Sequence, residues 1–381
     1  MERKHFLDNI RWVTVLLVLF YHVIYFYNAK GVFGGIGGFY EDQPWDAIMS
    51  VLYPWFMMLL FLVAGISSRY SLSSNPSPEG EGSAHWTRQW IRNRTLKLLV
   101  PSTIGLLVFQ WMTGYFNTLI AGVDMLAAVP QPVKHVLRAF SGIGPLWFIQ
   151  DLWLFSIVLV LIKAIEKDRL YNAIGKLFNK ESYSLTAALV MVGYLLIWAG
   201  AQGSISHPDP QSAQGLWNLY RPLAYFVPFL MGYFVFSHDT VQEMIAKIRI
   251  PLLVVAVVTG IAFTIVMYGK NDTDPIVLKG WLCNLYAWFA ILAMMACFKA
   301  WANKTSPFAT YMTRSSYGIY IVHYLVIASL GYMMKVHTSL APWMMYVILL
   351  LAVMLLSPVV YEIIRRIPFI RWCVLGIKRK K

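Results

Sequence analysis

Charge is scarce in this sequence. Asp, Glu, Lys and Arg together make up 13% of its 381 residues, and the acidic kind is the rarer, 18 against 32 basic. Soluble domains average about 25% charged residues, so a soluble globular fold is excluded. Cysteine is rare too. Cys283, Cys297 and Cys373 show neither pairing nor metal-ligand spacing, which marks them as packing residues and leaves no expected disulfide framework or metal site. No internal repeat is visible, which counts against the inverted-repeat plan of many secondary transporters.

What the chain does have is apolar length. Hydrophobic residues make up 58% of it, and the mean hydropathy is +0.57. Runs long enough to cross a bilayer core are predicted near 10–27, 47–66, 97–114, 146–165, 184–200, 219–236, 250–268, 280–299, 314–333 and 342–363. They predict an all-α membrane bundle of about ten transmembrane helices, built as one domain over 1–381. The first run is too long for a signal-peptide core and lacks a convincing cleavage site, so it is expected to remain as the first helix.

Placing the N-terminus in the cytoplasm puts 25 of the 32 Lys and Arg residues on that side. The positive-inside rule then predicts two cytoplasmic termini. The net charge of +14 reads as topology and affinity for anionic lipid head groups, with no nucleic-acid partner required. The Ser/Pro/Gly-rich stretch 71–85 is expected to be a mobile cytoplasmic loop. Glycines 31, 34, 35, 37 and 38 predict a flexible first outer loop, and the long connection 115–145 is expected to hold a short helix across the outer mouth.

Four constellations carry ionisable groups where lipid makes them expensive. Arg11 and His22 lie in LDNIRWVTVLLVLFYHV, about three helical turns and roughly 16 Å apart. Asp8 and Arg11 can pair at i,i+3; they also suit ordinary interfacial anchors. A neutral imidazole at the depth of His22 can act as a general base. In TRSSYGIYIVHYLV, Ser316, Tyr320 and His323 recur at helical spacing, with Arg314 expected at the start of the span. Two histidines thus reach similar depths in different spans; the alternative is polar joining of helices. Arg69, Arg88, Arg92, Arg94 and Lys97 form a basic set in which Arg94 and Lys97 share a helical face and suit phosphate. Topology alone also explains basic residues there. In GPLWFIQDLW, Trp147 suits the aromatic belt, whereas Asp151 needs a partner or a neutral form and can orient a histidine or bind a sugar hydroxyl.

Taken together, these motifs resemble the acyltransferase 3 family of polytopic membrane enzymes, in the branch near bacterial periplasmic-glucan succinyltransferases. The resemblance runs through FLDNIRWVTVLLVLFYH, FLVAGISSRY, RTLKLLVP, LWFIQDLW, VPFLMGYFVF and SSYGIYIVH, in the family's order and over essentially the whole chain. It implies an O-acyltransferase of the bacterial cytoplasmic (inner) membrane. Such an enzyme moves an acyl group from cytoplasmic acyl-CoA to a hydroxyl of an extracytoplasmic carbohydrate, glycan or related acceptor.

By that resemblance His22 is the catalytic histidine, Arg11 the arginine of the same motif, and Arg94 the first of a basic pair. The second is Lys97, which keeps the charge but lacks the guanidinium fork. Arg69, Arg94 and Lys97 are expected to hold CoA phosphates, with His323 or Tyr320 steadying the reacting oxygens and Asp151 and Trp147 facing the acceptor. His22 can serve as base or as acyl-carrying nucleophile. The rival readings are a secondary transporter or flippase for a sugar or lipid-linked substrate, and a non-catalytic scaffold.

Overall fold

The computed structural model describes residues 3–27, 46–73, 82–121, 126, 128–204, 220–268, 270 and 274–378. Helices and short turns make up these residues, with no strand among them. Nine helices among the described residues are long and apolar enough to cross a membrane. In chain order the apolar segments are α1 (His5–Phe26), α2 (Phe56–Ser73), α3 (Thr87–Ile120), α4 (Trp147–Glu166), α5 (Tyr183–Ser204), α6 (Pro222–Phe236), α7 (Arg249–Met267), α8 (Trp281–Trp301), α9 (Pro307–His337) and α10 (Pro342–Arg366). Nine of the ten expected spans are matched by helices long enough to cross, and the sixth by the shorter apolar helix α6. Arg221 sits in the left-handed region with φ 45° and Pro222 follows at the helix start, where a missing N–H costs no helical bond.

Helix ends differ from the sequence reading in instructive places. Helix α9 begins at Pro307, well before Arg314. Helix α2 runs to Ser73 and the next helix opens at Gly82, so both edges of the 71–85 stretch are helical; its middle, like the glycine-rich 31–38, lies outside the described residues. The short helix expected within 115–145 is Gln131–Ser141. The chain groups into two compact units. The first holds the residues up to Thr14, Ser50–Arg92 and Leu154–Ala309; the second holds Val15–Met49, Asn93–Trp153 and the chain from Thr310 on.

In the first unit, α2 and α6 approach backbone to backbone. A Cβ on Gly65 would collide with the carbonyl oxygen of Phe229, and one on Gly232 with that of Leu62. Helices in lipid gain little from hydrophobic burial against each other, so such close van der Waals packing through small residues is what joins them. Phe61 stacks on Tyr225 at 5.0 Å beside this crossing. The outer face of α7 stays uncovered, with Val258, Ile261 and Ile265 all more than half exposed, as a hydrocarbon-facing surface should be.

A polar knot secures the start of α1 in the same unit. Lys4 Nζ donates to Tyr70 Oη at 2.8 Å and to Gln242 Oε1 at 3.0 Å, and it forms an ion pair with Asp239. Gln242 is fully buried and donates to Tyr70 Oη and to the carbonyl of Phe236. Burial opposes the Lys4 charge, but Asp239 and Tyr70 outweigh it and raise its pKa above the ordinary lysine value.

Two outcomes follow for thermal unfolding in detergent. Gly65→Leu destabilises by about 1–3 kcal/mol or more, because backbone faces the added side chain. Lys4→Met lowers the midpoint at neutral pH. The raised lysine pKa means this contribution is complete below the unfolded value of about 10.4 and is lost as pH rises through the folded one, so wild type and Lys4→Met converge only in strong alkali. A constant gap across that range would exclude the ionic origin.

Candidate functional site

Within the second unit the two histidines meet. His22 on α1 and His323 on α9, 301 positions apart, bring Nδ1 and Nε2 to 3.2 Å, with ring centroids 5.0 Å apart. Each ring is oriented by a main-chain carbonyl. His323 Nδ1 lies 2.6 Å from the Tyr320 oxygen, and His22 Nδ1 lies 2.9 Å from the Val18 oxygen. A carbonyl only accepts, so both Nδ1 atoms must carry the proton. His22 Nδ1–H is then shared between Val18 and the bare Nε2 of His323, which leaves a lone pair on His22 Nε2.

The burial of the pair is unequal. His323 is fully buried, whereas His22 is only part-buried. The pair thus consists of one partly exposed ring and one ring enclosed behind it. Rings of Tyr21, Tyr25 and Tyr324 surround His22 at centroid distances of 5.4, 5.9 and 5.4 Å.

Tyr320 joins this pair to the start of α4. Its hydroxyl donates to the carbonyl of Pro145, and its ring meets Phe148 edge-on at 5.7 Å. Trp147 packs on Phe148, and Asp151 follows one turn later. Asp151 is 4% exposed, and its Oδ2 is buried with no hydrogen-bond partner among the described residues.

The basic motif of the second unit has a local cause for its shape. Thr95–Leu99 is π-helical, so Arg94 and Lys97 are not the simple i,i+3 pair of an α-helix. Pro101 has no N–H for the Lys97 carbonyl, and the Tyr317 hydroxyl of α9 donates to that oxygen instead. The Lys97 side chain is exposed and that of Arg94 part-buried.

The remaining expected residues fall in the first unit. Arg11 donates to Asp8 at 2.8 Å, as its spacing predicted, and also to the Ser67 hydroxyl. Arg69 is ion-paired with Asp168, donates to Tyr233 Oη at 3.3 Å and lies 3.4 Å over the Tyr171 ring. His238 covers the other face of Tyr171 at 4.1 Å; burial, and then the Arg69 charge, lower its pKa and keep it neutral. Asp168 comes after Lys167, and both have positive φ. Among the described residues no group of three or more His, Cys, Asp or Glu is placed to hold a metal, and no disulfide joins Cys283, Cys297 or Cys373.

Sequence reasoning missed Tyr21, Tyr25 and Tyr324. The signal was present in FYHVIY and VHYLV, where tyrosines sit at i−1 and i+3 of one histidine and i+1 of the other. Those around His22 could have been found by treating its own helical neighbours as part of the site.

A family model described as an acyltransferase domain matches residues 4–362. The chain is similar to "Glucans biosynthesis protein C" of Shigella boydii serotype 4, 20% identical over 390 aligned residues that cover 98% of this chain and 95% of the relative. The protein of the same description from Escherichia coli K12 is likewise 20% identical over the same shares. No solved structure matches significantly.

The carbonyl geometry fixes a spectroscopic outcome. Histidine-labelled protein is expected to show nitrogen shifts of the Nδ1–H tautomer for both His22 and His323 near pH 7. An Nε2–H tautomer at His22 would remove its lone pair from the accessible side and overturn this assignment.

Proposed function

This chain belongs to the acyltransferase 3 family, and from that premise we propose that it transfers an acyl group from acyl-CoA to a hydroxyl of a carbohydrate or related acceptor across the bacterial inner membrane. The observation that carries the reading is the coupled pair His22 and His323. Their carbonyl partners give His22 Nε2 the lone pair a general base needs, and a part-buried position gives it access.

In this mechanism the acceptor O–H gives its proton to His22 Nε2 while its oxygen attacks the thioester carbonyl. The imidazolium that forms carries its charge on a ring whose Nδ1–H already donates to Val18 and His323, and these two acceptors stabilise it. Collapse of the tetrahedral intermediate breaks the C–S bond, and the CoA sulfur takes the proton back from His22. Tyr320 is a positioning residue, because its carbonyl sets the His323 tautomer. Asp151 supplies a buried acceptor atom for an acceptor-sugar hydroxyl, and Trp147 a flat apolar surface of the kind that suits a sugar face.

Arg94 and Lys97 are the proposed holders of the donor phosphates. Arg69 would have to release Asp168 to do so, and its Asp168, Tyr233 and Tyr171 contacts favour a structural role over that expected from sequence. Arg11, tied to Asp8 and Ser67, is assigned to fixing the start of α1.

The test is transfer and hydrolysis of radiolabelled acetyl-CoA and succinyl-CoA by purified full-length protein supplied with envelope glycans. His22→Ala is expected to lose about 10²–10⁴-fold in turnover while keeping its unfolding midpoint. Lys97→Met raises the donor KM with little change in kcat, and Lys97→Arg restores it. Full activity in folded His22→Ala would eliminate the base assignment. Glycan movement without CoA turnover would favour a transporter.

A further inference from the structure

Far from the histidines in sequence, and wholly inside the first unit, α7 and α8 enclose a groove of about 430 Å³. Its walls are Leu253, Val257, Ile261 and Ile265 on one helix and Ala290 and Met294 on the other. The rim residues Val257, Ile261 and Ile265 are 51, 57 and 71% exposed, so the groove opens sideways on membrane-crossing helices, where hydrocarbon lies outside.

A second, polar cleft of about 360 Å³ lies at the ends of the same two helices. It is lined by Lys247, Arg249, Lys299 and Glu243, among others. Arg249 lies one turn before Leu253, and Lys299 two residues after Cys297, which itself lines the groove. Lys299 pairs with Glu243 at 2.8 Å and Lys247 with Glu181. Arg249 has no carboxylate partner among the described residues. Its Nη1 donates to the Ala246 carbonyl at 3.1 Å, its guanidinium sits 5.7 Å from the Trp301 ring, and its Nε is buried with no partner.

We propose that the groove and the neighbouring cleft together bind an anionic phospholipid of the surrounding bilayer, with its phosphate on Arg249 and Lys299 and one acyl chain in the groove between α7 and α8. Charge complementarity selects the head group, since three cations and one carboxylate line the cleft. Basic pockets between membrane helices bind anionic head groups in this way. Length fits as well. One leaflet of hydrocarbon is about 15 Å, half the bilayer core, or roughly ten residues of helical rise, which carries a chain from Arg249 past Val257 toward Gly260.

The experiment is native mass spectrometry of the purified full chain, titrated separately with palmitoyl-oleoyl phosphatidylglycerol and with phosphatidylcholine of the same chains. Wild type is expected to retain phosphatidylglycerol about tenfold better, the difference one charge-assisted contact supplies. Arg249→Gln is expected to abolish that preference. Val257→Trp, at an exposed rim position that spares the buried packing, weakens both lipids by covering the groove.

Equal retention of the two lipids by wild type, which needs no variant to fold, overturns the proposal. So does a preference that survives Arg249→Gln. Undiminished retention in folded Val257→Trp also overturns it, and would mean that the bound lipid is peripheral or that the groove receives another helix.

Discussion

Inside a bilayer every backbone carbonyl needs a donor from the protein itself, and this requirement organises the second unit. Side chains supply donors to several carbonyls in this unit. Tyr317 serves Lys97, Tyr320 serves Pro145, Gln110 serves Ile321, and Tyr27 serves Gly331. The histidines belong to the same scheme, each donating from Nδ1 to a carbonyl of its own helix. Their protonation pattern is thus set by the main chain, before any substrate is present.

The cation-bearing sites share a different constraint. An arginine near hydrocarbon is tolerated when its charge, its planar face and its donors are all occupied. Arg69 meets this with Asp168, Tyr171 and Tyr233, while Arg11 has its charge met by Asp8 and a second donor taken by Ser67. Among the described residues Arg249 has a carbonyl and an indole but no carboxylate, and so differs from both in a way that composition cannot show.

Local spacing made part of this legible in sequence. The Asp8–Arg11 pair follows from i,i+3 geometry, and His22 and His323 could each be flagged because a histidine deep in an apolar run has few bland uses. Their union could not be read, since nothing in either span encodes a partner 301 positions away. The Arg94 to Lys97 spacing misled in detail because Pro101 acts four residues downstream and the resulting π-helix is a property of the bond ladder, not of side-chain pattern. The ion pair of Arg69 could not be read in advance, because Asp168 lies in a turn held in a left-handed conformation that apolar periodicity does not reveal.

The reciprocal glycines of α2 and α6 work as a vernier. Gly65 faces the Phe229 carbonyl three residues before Gly232, and Gly232 faces the Leu62 carbonyl three residues before Gly65. Sliding either helix by one residue would drive a side chain into backbone, so only one axial alignment is possible. Arg69 stands one turn beyond Gly65, and Tyr233 immediately after Gly232. The alignment that lets two backbones touch therefore also sets the height at which guanidinium and phenol meet, and two residues without side chains measure out the position of a charge.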